Sequence, residues 1–224
     1  MTPKRKKEVE QLAMRILSQN RIKDNPGQHL QIILDGEKIQ LIGYDDWAED
    51  VCGRFMYIDD EPVIFYNSKH TTAMRAFTIA HELGHYFLQH LETEEAELIC
   101  LDRDFQRMDD SNDSKKEREV EANYFASCLL MPLDLIHPVF VRFMQNQRLS
   151  GVLYVDTQQC NYLAYKQCIR TFQLYFTASE TAIRFRLISL GWMRFNIQFK
   201  ETEDRGISIA EYLKKQNPTS KHLF

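Results

Sequence analysis

The sequence lacks the two features that would place it in or across a membrane. No apolar run reaches the roughly 18 residues that are needed to span a bilayer. The basic residues 4–7 are followed by the amphipathic segment 9–12, and not by the apolar core of a signal peptide. We therefore expect a cytoplasmic protein that makes no membrane contact.

Cysteine is also sparse. The five cysteines form no C-x-x-C pair, and an odd number does not suit a disulfide framework. We expect reduced thiols that pack as small hydrophobic side chains. The same pattern disfavours a cysteine-rich structural zinc site and a cysteine nucleophile.

The chain is long enough and apolar enough to bury a hydrophobic core. Its 224 residues are 44% hydrophobic, a composition that disordered chains do not have. Charge is uneven, because residues 1–149 carry a net charge of −8 and residues 150–224 carry +4. We predict a main domain over residues 1–149 and a mainly helical region over residues 150–224.

Residues 71–91 are the most informative stretch. They contain no proline and are rich in alanine, leucine and aromatic residues, which favours a helix. Thr71 or Thr72 can serve as its N-cap. Apolar residues cover most of its circumference, so this helix should be buried. His81 and His85 are four residues apart and should share one face.

This helix carries the pattern H-E-x-x-H at residues 81–85. Two neutral imidazoles one turn apart can hold one Zn²⁺ at about 2.1 Å each. Glu82 lies roughly 100° further round the helix, which suits a carboxylate that faces a metal-activated water. Gly84 costs about 1 kcal/mol of helix propensity, and we attribute its presence to the close approach of another helix. The alternative is a core helix with two hydrogen-bonded histidines.

A zinc hydrolase needs a third protein ligand and leaves one position open for water. Residues 117–131 predict a second buried helix, and its first turn carries Glu117, Glu119 and Glu121. Glu119 lies one turn before Asn123, so Glu119 could bind the metal while Asn123 holds the outer ring nitrogen of a histidine. Glu121 is the second choice and Glu117 the third. All three could instead be solvated residues of a first helical turn.

These motifs resemble those of the ImmA/IrrE family of metallo-endopeptidases. Residues 81–85 read H-E-L-G-H, and the pattern E-x-E-A-N-x-F-A-x-x-L-L-M-P begins at Glu119. The stretch 75–80 and a strand that ends at Asn67 also fit this family. The resemblance covers roughly residues 8–135 and, more weakly, residues 170–191.

The resemblance implies a function. In this family, and in the wider gluzincin group, a glutamate one turn before an aspartate or asparagine is the third metal ligand. It implies that His81, His85 and Glu119 bind Zn²⁺ and that Glu82 is the general base. It also implies a narrow protein substrate, namely a transcriptional repressor or antitoxin-like regulator that is cleaved inside the cell.

Short strands precede the central helix. Residues 30–34 predict a strand that an Asp-Gly turn joins to a second strand at residues 38–44. Residues 54–58 and 62–67 predict another pair. The predicted fold class is therefore α+β, with a small, mainly antiparallel sheet packed on a helical zinc-peptidase core and a C-terminal helical extension.

Residues 63–66 either form an edge of this sheet or an ordinary core strand. At an edge, an extended substrate could add as a further strand over the metal. Asn67, at the end of the same strand, could position substrate or close a turn.

Three further side chains are candidates for contact with the substrate or the transition state. Tyr66, Tyr124 and His70 could each donate a hydrogen bond to a developing oxyanion. His90 follows the H-E-x-x-H motif closely, but we expect it to cap the C-terminus of the helix and not to join the metal.

Residues 158–191 predict two helices around a short turn. Their arrangement resembles a helix-turn-helix, which suggests a DNA contact. A packing hairpin is the alternative, because the second helix offers only Arg184 and Arg186. The polar stretch within residues 92–116 predicts a surface loop, and residues 209–216 predict a short helix.

Two main classes of function remain. The first is a zinc endopeptidase. The second is a non-proteolytic module that binds a regulator or DNA and retains a vestigial metal site. A zinc hydrolase acting on a non-peptide amide is a third option. The presence of Glu82 and an open metal position favour the peptidase, because structural zinc normally has four protein ligands.

Overall fold

A computed structural model describes the chain over residues 1–90, 98–101 and 114–195. The helices of this part are α1 Pro3–Gln19, α2 Leu30–Glu37, α3 Thr72–Phe87, α4 Ser114–Leu130, α5 Leu133–Asn146, α6 Gln159–Tyr175 and α7 Glu180–Ser189. Its strands are β1 Gln40–Tyr44, β2 Val51–Ile58, β3 Glu61–Asn67, β4 Leu98–Leu101, β5 Leu153–Val155 and β6 Met193–Phe195. The predicted α+β fold class is confirmed.

Four of the strands form a mixed sheet in the order β1-β3-β2-β4. β1 runs parallel to β3, whereas β2 pairs antiparallel with both β3 and β4. Two of the three pairings are thus antiparallel. β3 lies inside the sheet and buries Val63 and Ile64, so the edge interpretation of residues 63–66 is wrong and the core-strand alternative is correct. Among the described strands, β1 and β4 are the edges of this sheet.

The strand predicted at residues 30–34 is wrong, because these residues begin helix α2. Leu30, Ile33 and Leu34 are buried and follow the i, i+3, i+4 spacing of a helix face. The Asp-Gly pair that suggested a hairpin lies within the last turn of α2. The chain reverses instead at Lys38, which adopts the left-handed conformation at φ 58°. β1 then follows directly and pairs with β3.

Helix α3 packs along α4, and the two backbones approach closely at Gly84. A Cβ at Gly84 would lie 3.1 Å from the Cα of Ala122 and 3.2 Å from its carbonyl oxygen. The loss of helix propensity at this glycine is therefore offset by tight packing of the two helices. The sequence-based explanation of Gly84 is confirmed.

The two helices predicted near the C-terminus are present as α6 and α7. Ser179 caps α7, since its hydroxyl accepts a hydrogen bond from the N–H of Ala182 at 3.2 Å. Phe172 of α6 and Leu187 of α7 belong to the same hydrophobic core as α3 and α4. Arg186, one of the two arginines considered for DNA contact, is fully buried. The division into two domains stays a prediction.

Within the described ranges, no single helix is both long and apolar enough to cross a membrane. Glu117–Leu130 of α4 and Leu133–Asn146 of α5 satisfy that test only together, as a pair bent by 70°. Most of the loop predicted within residues 92–116, and the helix predicted at residues 209–216, lie outside the described residues.

Candidate metal centre

Helix α3 begins with a capped turn and then runs through the core. The side-chain oxygen of Thr71 accepts a hydrogen bond from the N–H of Met74 at 3.3 Å, which is an N-cap interaction. Every residue from Ala76 to His85 is buried. The four-residue spacing of His81 and His85 turns both rings toward α4.

Three side chains bring their ligand atoms together between α3 and α4. The Nε2 atoms of His81 and His85 lie 2.9 Å apart. Glu119 of α4 places Oε2 3.2 Å from Nε2 of His81 and Oε1 3.5 Å from Nε2 of His85. One ligand atom from each of the three residues lies within 4.8 Å of the other two. The structure therefore brings together the three side chains that were predicted as metal ligands.

The outer ring nitrogens of both histidines also have partners. Nδ1 of His81 lies 2.9 Å from Oδ1 of Asn123, as was expected for that asparagine. Nδ1 of His85 lies 2.9 Å from Nδ1 of His90, which is buried. Both rings are thereby oriented with Nε2 toward the shared point, the arrangement that partners of metal-binding histidines normally impose.

Glu82 is fully buried beside this cluster, and neither of its carboxylate oxygens has a hydrogen-bond partner. Oε2 of Glu119 lies near His81 but also makes no hydrogen bond. Buried carboxylates without donors are costly unless a cation compensates them. Two imidazole nitrogens and a carboxylate oxygen are a donor set that suits zinc. The residues present thus fit a divalent metal ion.

Burial shifts the pKa values of Glu82 and His85 in opposite directions. Burial raises the pKa of Glu82 to about 8 against the opposing effect of His81, and the charge of Glu119 adds to the rise. Burial lowers the pKa of His85 to about 4, although Glu119 opposes this. At neutral pH His85 therefore offers a lone pair, as metal binding requires.

His81 and Glu119 influence each other. Burial lowers the pKa of His81, but the carboxylates of Glu119 and Glu82 and the amide of Asn123 together raise it above its ordinary value. Burial raises the pKa of Glu119, but its contacts with both histidines outweigh burial and hold that pKa well below its usual range. Glu119 is therefore ionised at neutral pH.

Gly53 of β2 is a residue of this site that the sequence reasoning missed. A Cβ at Gly53 would lie 2.4 Å from Cγ2 of Thr78 and 3.0 Å from Oε1 of Glu82. A glycine therefore leaves the space that the Glu82 carboxylate occupies between β2 and α3. The available signal was the isolated glycine in a strand pattern, which often marks the close approach of another segment.

Asn67 and His70 make contacts with the main chain. Nδ2 of Asn67 donates to the carbonyl oxygens of Ala48 at 3.1 Å and Val51 at 2.9 Å. Nε2 of His70 lies 3.0 Å from the carbonyl oxygen of Glu49. These contacts hold residues 48–51 against the end of β3 and the turn that follows it.

The two tyrosine candidates lie against basic side chains. The guanidinium of Arg75 lies 6.0 Å from the ring centroid of Tyr66. Tyr124 is buried, and Nζ of Lys6 in α1 lies 5.9 Å from its ring centroid. Neither tyrosine belongs to the ligand cluster described above.

The other two glutamates of α4 lie apart from the three ligands. Glu121 accepts two hydrogen bonds from the guanidinium of Arg5, at 2.7 and 2.6 Å. Glu117 is exposed. The order of preference that placed Glu119 first therefore agrees with the geometry of the cluster.

Comparison with known proteins gives a matching family and similar solved structures, of which we describe one. Residues 42–187 match the peptidase family described as the IrrE N-terminal-like domain. A Mycobacterium tuberculosis transcriptional regulator has a TM-score of 0.49 and 18% identity, and the match covers 80% of this chain and 46% of the regulator. This chain thus spans less than half the length of that protein. No curated protein sequence matches the chain.

Proposed function

The chain belongs to the IrrE N-terminal-like peptidase family, and from this premise we propose that it is a zinc-dependent endopeptidase. The observation that carries the proposal is the convergence of two imidazole nitrogens and one carboxylate oxygen beside a second, unpartnered carboxylate. In this proposal His81, His85 and Glu119 hold the zinc. Three protein ligands leave a position open, as a catalytic site requires.

The chemistry is divided between the metal and Glu82. When bound, zinc supplies Lewis acidity that polarises the scissile carbonyl and lowers the pKa of a water molecule. Glu82 would take a proton from the attacking water on a carboxylate oxygen and deliver it to the nitrogen of the leaving amine. Both of its oxygens are free of other hydrogen bonds. Burial raises its pKa to about 8, and a bound cation would lower that pKa again and so make the carboxylate available for this transfer.

Asn123 and Gly53 support these groups without touching the reacting atoms. Oδ1 of Asn123 accepts a hydrogen bond from the Nδ1–H group of His81, which leaves the Nε2 lone pair of that ring for the metal. Gly53 leaves space for the Glu82 carboxylate against β2. We propose a protein substrate, a transcriptional repressor or antitoxin-like regulator, on the basis of the family resemblance.

The direct test is cleavage of a defined substrate. We would incubate the full chain with the repressor encoded beside its gene and follow the products by mass spectrometry. The wild-type protein with zinc should cut at one position. Glu82→Gln should keep stoichiometric zinc and lose cleavage by about 10²- to 10⁴-fold, because it cannot accept the proton. Treatment of the wild type with a chelator should also abolish cleavage, because it removes the zinc.

The outcomes separate the two classes of function. Binding of the repressor without cleavage by wild type, Glu82→Gln and chelator-treated protein alike would support the non-proteolytic module. Full activity of Glu82→Gln would refute the role of that carboxylate.

The ligand assignment has a matched control on the same helix. Glu119→Gln should lose zinc during dialysis, whereas Glu117→Gln should retain it, because Glu117 is exposed and lies outside the cluster. Metal content is measured by plasma mass spectrometry. Equal zinc in both variants would show that Glu119 is not a ligand.

A further inference from the structure

His90 is the buried residue that lies directly behind the metal-facing ring of His85. Its side chain is in contact with the His85 ring, with ring centroids 4.9 Å apart and the planes at 70°. The two Nδ1 atoms lie 2.9 Å apart. His90 thus faces the nitrogen of His85 that points away from the site and is not placed to join the metal.

The end of helix α3 builds this contact. The N–H of His90 donates to the carbonyl oxygen of His85 at 3.0 Å, and the N–H of Gln89 donates to that of Tyr86 at 3.1 Å. Gln89 adopts the left-handed conformation with φ 56°. These two hydrogen bonds form a Schellman motif, which folds the chain back along the last turn of the helix. The turn therefore returns the side chain of His90 to His85.

Residues from two other helices hold His90 in this position. Nη1 of Arg118 in α4 donates to the carbonyl oxygen of His90 at 2.8 Å. Oε2 of Glu121 lies 3.5 Å from Nε2 of His90, at the outer limit of a hydrogen bond. Glu121 is fixed in turn by two hydrogen bonds from Arg5 of α1. A continuous polar chain thus connects Arg5, Glu121, His90 and His85.

The direction of the protons in this chain follows from the chemistry of the site. A lone pair on Nε2 of His85 can bind a metal only if the proton of that neutral ring is on Nδ1. The Nδ1–H group of His85 then donates a hydrogen bond to Nδ1 of His90. The proton of the neutral His90 ring must therefore be on Nε2, where it faces Glu121. The opposite direction would place a proton on Nε2 of His85 and block its lone pair. A carboxylate at the far end, which only accepts, favours the first arrangement.

We propose that His90, supported by Glu121, is a positioning residue that fixes the tautomer and orientation of His85 for zinc binding. Its role matches that of Asn123 behind His81, so each histidine ligand has its own acceptor. The proposal rests on the proposed zinc site and adds to it a determinant of metal affinity. Loss of such a partner typically costs about 10- to 100-fold in metal affinity.

The test compares two substitutions of different chemistry. His90→Leu replaces the acceptor with an apolar side chain of similar size. His90→Asn can present Oδ1 where Nδ1 lies and so retain the acceptor. We expect the zinc dissociation constant of His90→Leu to be about 10- to 100-fold larger than that of wild type, and that of His90→Asn to be close to wild type. Competition with a fluorescent chelator measures both. The exposed His137 provides the control His137→Leu, which should bind zinc as the wild type does.

A second readout reports the tautomer directly. In the zinc-loaded protein, the ¹⁵N chemical shifts of the His85 ring should show a protonated Nδ1 and a metal-bound Nε2 in wild type and His90→Asn. Thermal unfolding of the metal-free variants separates an affinity change from a loss of fold.

The outcomes distinguish this proposal from the zinc site itself. A His90→Leu variant that is folded and binds zinc within twofold of wild type overturns the role of His90, even if Glu119→Gln fails to bind. Failure of the wild type to bind zinc overturns the metal site and with it this inference. Equal weakening by His90→Leu and His90→Asn would show that packing, and not the acceptor, is what matters.

Discussion

Helix α4 contributes to two buried polar clusters. In one, carboxylate oxygens make no hydrogen bond, whereas in the other the charged group has a partner at each nitrogen. Toward its N-terminal half, Glu119 and Asn123 meet the histidines of α3 and Glu82 in the metal centre. Three carboxylate oxygens there make no hydrogen bond, both from Glu82 and one from Glu119. When Glu82 is ionised, the metal-free cluster carries two carboxylate charges, and His81 is the one imidazole of the pair whose pKa is raised and which can offset one of them.

The second cluster lies at the C-terminal end of α4 and surrounds Arg186; we call it the arginine cluster. Nε of Arg186 donates to the carbonyl oxygen of Met131 at 3.1 Å, and Nη1 donates to Sγ of Cys128 at 3.2 Å. Nη2 donates to a carboxylate oxygen of Glu10 in α1. Each guanidinium nitrogen therefore has a partner, and the charge is balanced within the chain.

Under the proposed function, this difference separates a cluster that supports the fold from one that supports chemistry. A buried ion pair with satisfied donors can hold helices in register, although it adds little net stability over apolar packing. A cluster with unsatisfied acceptors lowers stability unless something outside the chain completes it. If the metal centre has the proposed function, that function is therefore retained at a cost to the stability of the fold.

The largest expected effect tests the balance of the arginine cluster. Glu10→Leu leaves the guanidinium of Arg186 buried without its counter-ion, and we expect a loss of about 3 to 5 kcal/mol in the free energy of unfolding. Glu8→Leu on the same helix is the control, because the Glu8 carboxylate is exposed and makes only a surface ion pair with Arg5. Urea denaturation measures both. A loss below about 1 kcal/mol for Glu10→Leu would contradict the charge-balance argument.

The next effect concerns the unbalanced charge of the metal centre. The pKa of Glu82 is raised from 4.5 to about 8 on folding, so the folded state keeps a proton that the unfolded state loses between these values. Stability of the metal-free protein should therefore fall as pH rises through this window. Glu82→Gln removes the titrating group and should be more stable than wild type at pH 9, by about 3 to 5 kcal/mol, with little difference at pH 4.

Chemical denaturation of the metal-free wild type and Glu82→Gln across this pH range measures the difference. The same stability difference at both ends of the range would show that the charge of Glu82 is not the destabilising element.

Addition of zinc should compensate the carboxylate charge of the metal centre, as Glu10 compensates the charge of Arg186 in the arginine cluster. At 100 times its dissociation constant, a ligand that binds only the folded state stabilises by about 2.7 kcal/mol. We expect this gain in thermal unfolding of wild type and its loss in Glu119→Gln. Zinc should still stabilise Glu10→Leu by a similar amount, because Glu10 lies in the other cluster. Equal stabilisation of Glu119→Gln would contradict this separation.

The smallest effect concerns the space beside Glu82. Gly53→Ala introduces a Cβ that would collide with Thr78 and contact Glu82, and we expect a loss of about 1 to 2 kcal/mol. The rate of cleavage should fall by more than the reduced fraction of folded protein accounts for, because the Glu82 carboxylate must move. Gly36→Ala is the control, since its added Cβ meets only Oδ1 of Asn20 at 3.4 Å and should favour helix α2. Unchanged cleavage by Gly53→Ala would show that the carboxylate tolerates displacement.

The sequence was sufficient where the structure depends on spacing within a helix. His81 and His85 share a face because they are four residues apart, and the same rule relates Glu119 to Asn123. The meeting of the two helices was inferred from the family resemblance and from Gly84, and the packing against Ala122 agrees with it.

The sequence was insufficient where distant segments decide the outcome. The order of strands places β3 inside the sheet, and no local pattern in residues 63–66 reveals its neighbours. In α2, the Asp-Gly pair gave a turn signal, whereas the apolar spacing of a helix decided the structure. The return of His90 to His85 depends on a left-handed Gln89, a conformation for which glycine would have been the usual signal.

Helix α1 lies before residue 42, where the family match begins, yet it reaches both polar clusters. Arg5 anchors Glu121 behind the metal centre, and Glu10 neutralises Arg186. A fragment trimmed to the homologous segment would thus be left with two orphaned charges of opposite sign, one acidic and one basic. Family-based boundaries are therefore a poor guide for anyone shortening this protein, because residues within its first ten make ion pairs with α4 and α7.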